Sequence, residues 1–140
     1  MVLENEKRDR SYLYGRLLGA AEKLEEYALS ITDANRTETA ALRYMTLFAQ
    51  RPYTTWEIVY RTLVPYIQKV KGCIAHRELE KIHALFDSVE FSDDGALDGL
   101  YLLGYYHERN FIDCEISRIR NERSNDALNK EEEAFDNSQS

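Results

Sequence analysis

The stretch from about Arg10 to Ile31 limits what this chain can fold into more than any other. Leu13, Leu17, Ala20, Ala21, Leu24, Ala28 and Ile31 recur at helical spacing, so one long helix carries an apolar stripe that other elements must cover. Gly15 and Gly19 lie four residues apart on it and allow a partner helix to approach closely. In a bilayer such a pair would suggest helix dimerisation, but Arg16, Glu22, Lys23, Glu25 and Glu26 exclude that setting. With only two prolines and six glycines in 140 residues, the rest of the chain favours long helices over a turn-rich β fold. No internal repeat and no clean strand alternation interrupts that pattern. A hydrophobic fraction of 44% is ample for one core, and the length leaves no room for two.

Thr32-Asp33-Ala34-Asn35 reads as a turn, and a second helix is expected from about Thr37 to Gln50, turning Ala41, Tyr44 and Phe48 inward. Pro52 ends it, because the residue before a proline is pushed out of the α region. Thr54-Thr55-Trp56-Glu57 fits a capping box. A third helix follows to about Lys71, with Trp56, Val59, Leu63, Ile67 and Val70 on one stripe. Pro65 lies inside it and predicts a kink; Gly72 is a natural stop. A fourth helix is expected over about His76 to Phe86, then a loop at Ser92-Asp93-Asp94-Gly95. The fifth starts near Leu97, carries Tyr101, Tyr105 and Ile112, and can continue through Ile116 and Ile119. Beyond about Asn121, Leu128 and Phe135 are too few to build an apolar face. The expected fold class is all-α: a single bundle of about five helices over 11–120, a frayed charged N-terminus over 1–10, and a disordered acidic tail over 121–140.

The net charge of -7 is unevenly spread. From Ala34 to Arg77 the basic residues Arg36, Arg43, Arg51, Arg61, Lys69, Lys71 and Arg77 face only Glu38 and Glu57. From Asn121 onward Arg123 and Lys130 face Glu122, Asp126, Glu131, Glu132, Glu133 and Asp136. A basic middle can attract phosphate on a protein that is acidic as a whole; its plainer reading is a solvated helix face.

Catalytic patterns are missing. The glycines are scattered and form no phosphate loop. Ser11, Ser30 and Ser117 lack a Gly-x-Ser-x-Gly setting, and Asp93-Asp94 reads as helix capping. Cys73, His76 and His83 share no zinc-binding spacing with a second ligand pair. His107-Glu108-Arg109 reads as a helix-surface patch, because neighbours on a helix point apart whereas acid–base chemistry needs convergent groups. No apolar run is long enough to span a membrane, and no signal peptide is visible. A cytoplasmic non-enzyme with reduced thiols, no cofactor and no metal is the expectation.

Three aromatic blocks remain: Tyr12-Leu13-Tyr14-Gly15-Arg16-Leu17-Leu18, Gln50-Arg51-Pro52-Tyr53-Thr54-Thr55-Trp56, and Tyr101-Leu102-Leu103-Gly104-Tyr105-Tyr106-His107-Glu108-Arg109. With Leu42-Arg43-Tyr44-Met45 and Leu63-Val64-Pro65-Tyr66 between them, their order and spacing resemble the C-terminal helical domain of the large subunit of type I-C CRISPR Cascade complexes. The resemblance covers about Ser11 to Arg109 and departs at Glu108, where that family often has Gln. That domain is also made as a free small subunit from an internal start, and a 140-residue chain beginning at Met1 has the expected size and start. The resemblance implies a non-catalytic subunit that stacks along the guide-RNA-bearing backbone. Its partners would be Cascade backbone subunits, the large subunit and neighbouring copies of itself. It would also meet the guide RNA–target DNA complex and the displaced single strand. Arg36, Arg43, Arg51, Arg61, Lys69, Lys71 and Arg77 are the candidate phosphate contacts. The rivals are the same domain within a full-length large subunit, and an unrelated helical adaptor.

Overall fold

The fold is built around α1 (Arg10–Thr32), which every other long helix touches. The structure, a computed structural model, describes residues 9–32 and 38–139, with side chains to residue 129. The other helices are α2 (Ala40–Arg43), α3 (Met45–Gln50), α4 (Pro52–Val70), α5 (Ile74–Leu85), α6 (Ser88–Ser92) and α7 (Leu100–Gln139). No strand occurs among the described residues, as expected for an all-α bundle.

From Ser11 to Glu22 each residue of α1 is buried, because α4, α5 and α7 surround it. Leu13, Leu17, Leu24, Ala20, Ala21 and Ala28 form the expected core stripe, whereas Ile31 at its end is exposed. Burial on all sides also takes Arg16, Glu22 and Glu25 out of water, and such groups need partners.

The tightest packing is between α1 and α7. A Cβ placed on Gly15 would stand 1.9 Å from the Tyr101 carbonyl oxygen, and one on Gly104 would stand 2.2 Å from that of Tyr12. The glycines therefore let two backbones touch, and the first and third aromatic blocks form one seam. Phe48, Trp56, Val59, Leu63, Val70, Leu79, Ile82, Tyr101, Tyr105 and Ile112 complete the core.

Several boundaries differ from expectation. Asp9 caps α1 by accepting from the Ser11 and Tyr12 amides at 3.0 and 3.3 Å, and Arg10 is already helical; the rest of the expected frayed N-terminus lies outside the described residues. So do the expected turn at 33–35 and Arg36. The second helix is two pieces broken at Tyr44. Thr39 caps the first piece from its side chain, while Glu25, on α1, accepts from the Ala40 amide at 2.9 Å.

The capping box at Thr54 does not form. Pro52 is pre-set for the first helical position, so α4 begins there and Thr54 falls within its first turn. The Thr54 amide and hydroxyl instead donate to Asp94 at 3.0 and 2.6 Å. α4 runs through Pro65, and Gly72, at φ 87, turns the chain into α5. The short α6, capped by Asp87, was not anticipated.

The tail expected to be disordered from residue 121 is helical backbone to Gln139. No glycine or proline follows Gly104, so nothing breaks the helix, and four Glu and two Ala from residue 121 onward are good helix formers. Arg118 bridges Glu122 at 2.7 Å one turn on. Residues 121–129 are all exposed while the helical backbone continues.

Candidate nucleic-acid interface

The buried charges organise the α1–α7 seam. Arg16 Nε donates to Glu108 Oε1 at 2.9 Å, both side chains being fully buried, and Glu78 from α5 stands 4.0 Å from the same guanidinium. Burial pushes the Glu108 carboxyl up to about 8; the adjacent Glu78 carboxylate adds to this and Arg16 opposes it. Near neutral pH, Glu108 therefore keeps its proton while its Oε1 accepts from Arg16.

One turn along, the Tyr105 hydroxyl donates to Glu22, and Arg109 reaches Tyr105, Glu22 and Glu26. Burial raises the Glu22 carboxyl, against the lowering effect of Tyr105 and Arg109, and burial raises the Tyr105 phenol too. The Tyr12 hydroxyl meets His107 Nδ1 at 2.9 Å.

The reading of His107-Glu108-Arg109 as a surface patch is thus corrected. The glycine contacts draw α1 so close that all three side chains engage it. They do point apart, each to a different partner on α1: Tyr12, Arg16, and the Glu22–Glu26 pair. That geometry fastens two helices and does not converge on a reacting group.

Cys73 and His76 have structural roles at the start of α5. The His76 amide donates to Cys73 Sγ at 3.4 Å, and the Gly72 amide donates to His76 Nδ1 at 3.1 Å. Among the described residues no group of three or more His, Cys, Asp or Glu is placed to hold a metal ion. No helix among the described residues is long and apolar enough to cross a membrane.

The basic residues of the middle lie on the outside. Arg43, Arg51, Arg61, Lys69, Lys71 and Arg77 are all exposed, and Arg36 lies outside the described residues. Arg43 stands 3.9 Å from Glu38, and Arg51 stands 3.9 Å from Asp94; such loose exposed pairs contribute little and leave the charge available. Burial works against the Asp94 carboxylate, yet the Thr54 hydrogen bonds and the Arg51 charge hold its pKa below the ordinary value. Asp94 is thus fixed as a staple for the start of α4.

The described candidates are spread over several helices. Arg43 and Arg51 lie around α2 and α3, whereas Lys69 and Lys71 close α4 beside Gly72. Arg77, on the first turns of α5, faces Arg120 and Arg123 of α7 across a groove of about 730 Å³. The two α7 arginines were missed because they sit at the edge of the stretch from residue 121 that is acidic as a whole; only the helical backbone beyond residue 120 brings them beside Arg77. The second aromatic block makes a separate cleft of about 360 Å³, where Tyr53, Trp56 and Tyr60 meet His83 and Phe91.

Comparison with protein families gives a match over residues 1–112 to a family described as CRISPR-associated protein (Cas_Csd1). Comparison with curated proteins gives no match.

Proposed function

The chain belongs to the Cas_Csd1 family of CRISPR-associated proteins, and from that premise we propose that it is the small subunit of a type I-C Cascade surveillance complex. An unrelated helical adaptor is thereby set aside. In this proposal the chain is not an enzyme. It works in the cytoplasm, stacks along the guide-RNA-bound backbone beside the large subunit, and steadies the R-loop by holding target DNA or the displaced strand.

The observation that carries the strand contact is the exposure of every described basic residue in the middle of an otherwise acidic chain. RNA–DNA pairing reads the sequence in such complexes, and strand exchange is nearly balanced, so a few backbone contacts tip it. Arginines and lysines on an outer face hold a single strand without reading it. One copy carries few contacts; several copies side by side multiply them through effective concentration.

The test is Arg43→Glu with Arg61→Glu in reconstituted complexes, by gel shift and strand opening at two salt concentrations. Both residues are exposed, so the fold should survive and assembly should remain measurable. DNA binding should weaken alike for all target sequences, and the slope of log K against log salt should fall by about 0.7 per lost single-strand contact. Unchanged binding at both salts with assembly intact refutes the strand contact. Loss of assembly instead places these arginines between subunits.

A further inference from the structure

The second aromatic block builds a cleft that the strand contact does not use. Tyr53, Trp56, Glu57 and Tyr60 recur at helical spacing on one face of α4 and line it. Glu80 and His83 join from α5, and Phe91 joins from α6. Trp56 and Tyr60 lie tilted with ring centroids 5.8 Å apart, while Tyr53 and His83 each meet Phe91 edge-on at 5.5 and 5.0 Å. Phe91 is fastened from the core side, because the Tyr14 hydroxyl donates to its carbonyl and Arg10 holds that of Glu90 at 3.1 Å. Tyr60 is 44% exposed, and Val64, one turn further along α4, is exposed too, so the apolar surface reaches solvent.

The charge of this cleft is negative. Glu57 and Glu80 line it, and no lysine or arginine does. The Tyr53 hydroxyl donates to Glu57, and that carboxylate holds the phenol above its ordinary pKa. His76 does not cancel Glu80. Its Nδ1 accepts from the Gly72 amide, so the ring hydrogen is on Nε2, 3.3 Å from Glu80 Oε1, and the imidazole is neutral. Aromatic rings with carboxylates beside them attract a cation. A planar guanidinium can stack on a ring and bond a carboxylate at once, which a compact ammonium cannot. At about 360 Å³ the cleft has room for a side chain, not for a helix.

We propose that this cleft binds an arginine side chain of a partner protein, with the guanidinium against Tyr60 and Trp56 and its N–H groups toward Glu57 and Glu80. Tryptophan, tyrosine and arginine are the side chains that most often dominate binding energy between proteins, and here two of them wait for the third. A nucleobase is the weaker fit. The rings suit stacking, but each base brings a phosphate that Glu57 and Glu80 repel. The proposal stands apart from the strand contact above, since it needs neither DNA nor the exposed arginines of the middle.

The experiment titrates the purified full chain with an end-blocked glycine–arginine–glycine peptide, and with the same peptide carrying lysine or citrulline, at constant ionic strength. Trp56 is the one tryptophan of the chain, so emission excited where tyrosine does not absorb reports this cleft alone. The arginine peptide should shift that emission saturably with a Kd of about 1 mM, the range of one cation–π contact with charge-assisted bonds. The lysine peptide should bind several-fold more weakly, and citrulline, similar in shape but neutral, about tenfold or more weakly. Glu57→Gln with Glu80→Gln, and separately Tyr60→Ala, should each weaken arginine binding by about tenfold. All three positions are exposed, so circular dichroism should stay unchanged. No saturable shift at about ten times the expected Kd overturns the proposal, as does lysine or citrulline binding equal to arginine, or unchanged binding in either variant. Oligothymidylate that quenches Trp56, and does so more strongly in the glutamine variant, assigns the cleft to a nucleobase and overturns it. A shift on concentrating the protein alone, lost in Tyr60→Ala, assigns the cleft to a neighbouring copy and overturns it as well.

Discussion

Glu108→Gln tests the buried seam most directly. Glu108 is fully buried against Arg16, and two descriptions of that contact predict opposite results. If Glu108 were a carboxylate in a buried ion pair, removing its charge would leave Arg16 short of a partner and cost about 3–5 kcal/mol. With its pKa raised to about 8 by burial, then by Glu78 and against Arg16, Glu108 is already neutral at pH 6. Gln copies that neutral form, and its carbonyl still accepts from Arg16 as Glu108 Oε1 does. The variant should then be at least as stable as wild type at pH 6 and ahead by up to about 2 kcal/mol, because keeping the proton at that pH already costs wild type stability.

The pH dependence has a fixed sign. Between the ordinary value of 4.5 and the folded value of about 8, the folded state holds a proton that the unfolded state has lost. Wild-type stability therefore falls as pH rises through that window, with a limiting slope of about 1.4 kcal/mol per pH unit. In Glu108→Gln this contribution disappears, so the variant's lead should widen toward pH 9. Urea unfolding followed by circular dichroism at pH 5.5, 7 and 9 measures both effects. A Gln variant losing about 3 kcal/mol or more at pH 6, or the same pH dependence in both proteins, would refute the protonated pair.

Much of the bundle is legible in the sequence because its signals are local. The stripe from Leu13 to Ala28, the stop at Gly72 and the core positions Trp56, Val59 and Leu63 follow from spacing and side-chain type; the stripe and the core positions are buried as expected, and Gly72 turns the chain. The polar seam was not legible for a corresponding reason. Whether Glu108 lies in water or against Arg16 is decided 92 residues away, by glycines that let α1 and α7 touch. Gly15 and Gly19 announced a close partner but did not name it; Gly104 and its neighbours supply it. The α4 cap failed likewise, since Asp94 reaches Thr54 from 40 residues further on. Arg120 and Arg123 join Arg77 only through the path of α7, which composition alone had marked as a tail.

Two stability tests remain. Trp56 is 5% exposed and packs beside Tyr60, so Trp56→Ala should cost about 3–5 kcal/mol in urea unfolding; a loss under about 1 kcal/mol would make it a docking residue. The close approach at Gly15 gives the sharpest contrast, because a second glycine supplies the control. At Gly99 a Cβ would meet nothing within 4 Å, so Gly99→Ala should be neutral or raise stability by about 0.4–1 kcal/mol through the unfolded chain. At Gly15 the added Cβ would meet the Tyr101 carbonyl oxygen at 1.9 Å and the Tyr105 amide nitrogen at 2.9 Å, both backbone atoms that no rotamer change can move. The helices must separate along the whole seam, which lengthens the Arg16–Glu108 contact and loosens the Tyr105–Glu22 bond. Gly15→Ala should therefore cost about 3 kcal/mol or more, at or beyond the upper end of ordinary overpacking. Thermal melts of the two variants side by side decide it: equal melting temperatures would mean that α1 and α7 do not touch at Gly15, and the account of why Arg16, Glu108 and Tyr105 are buried together would fall with that contact.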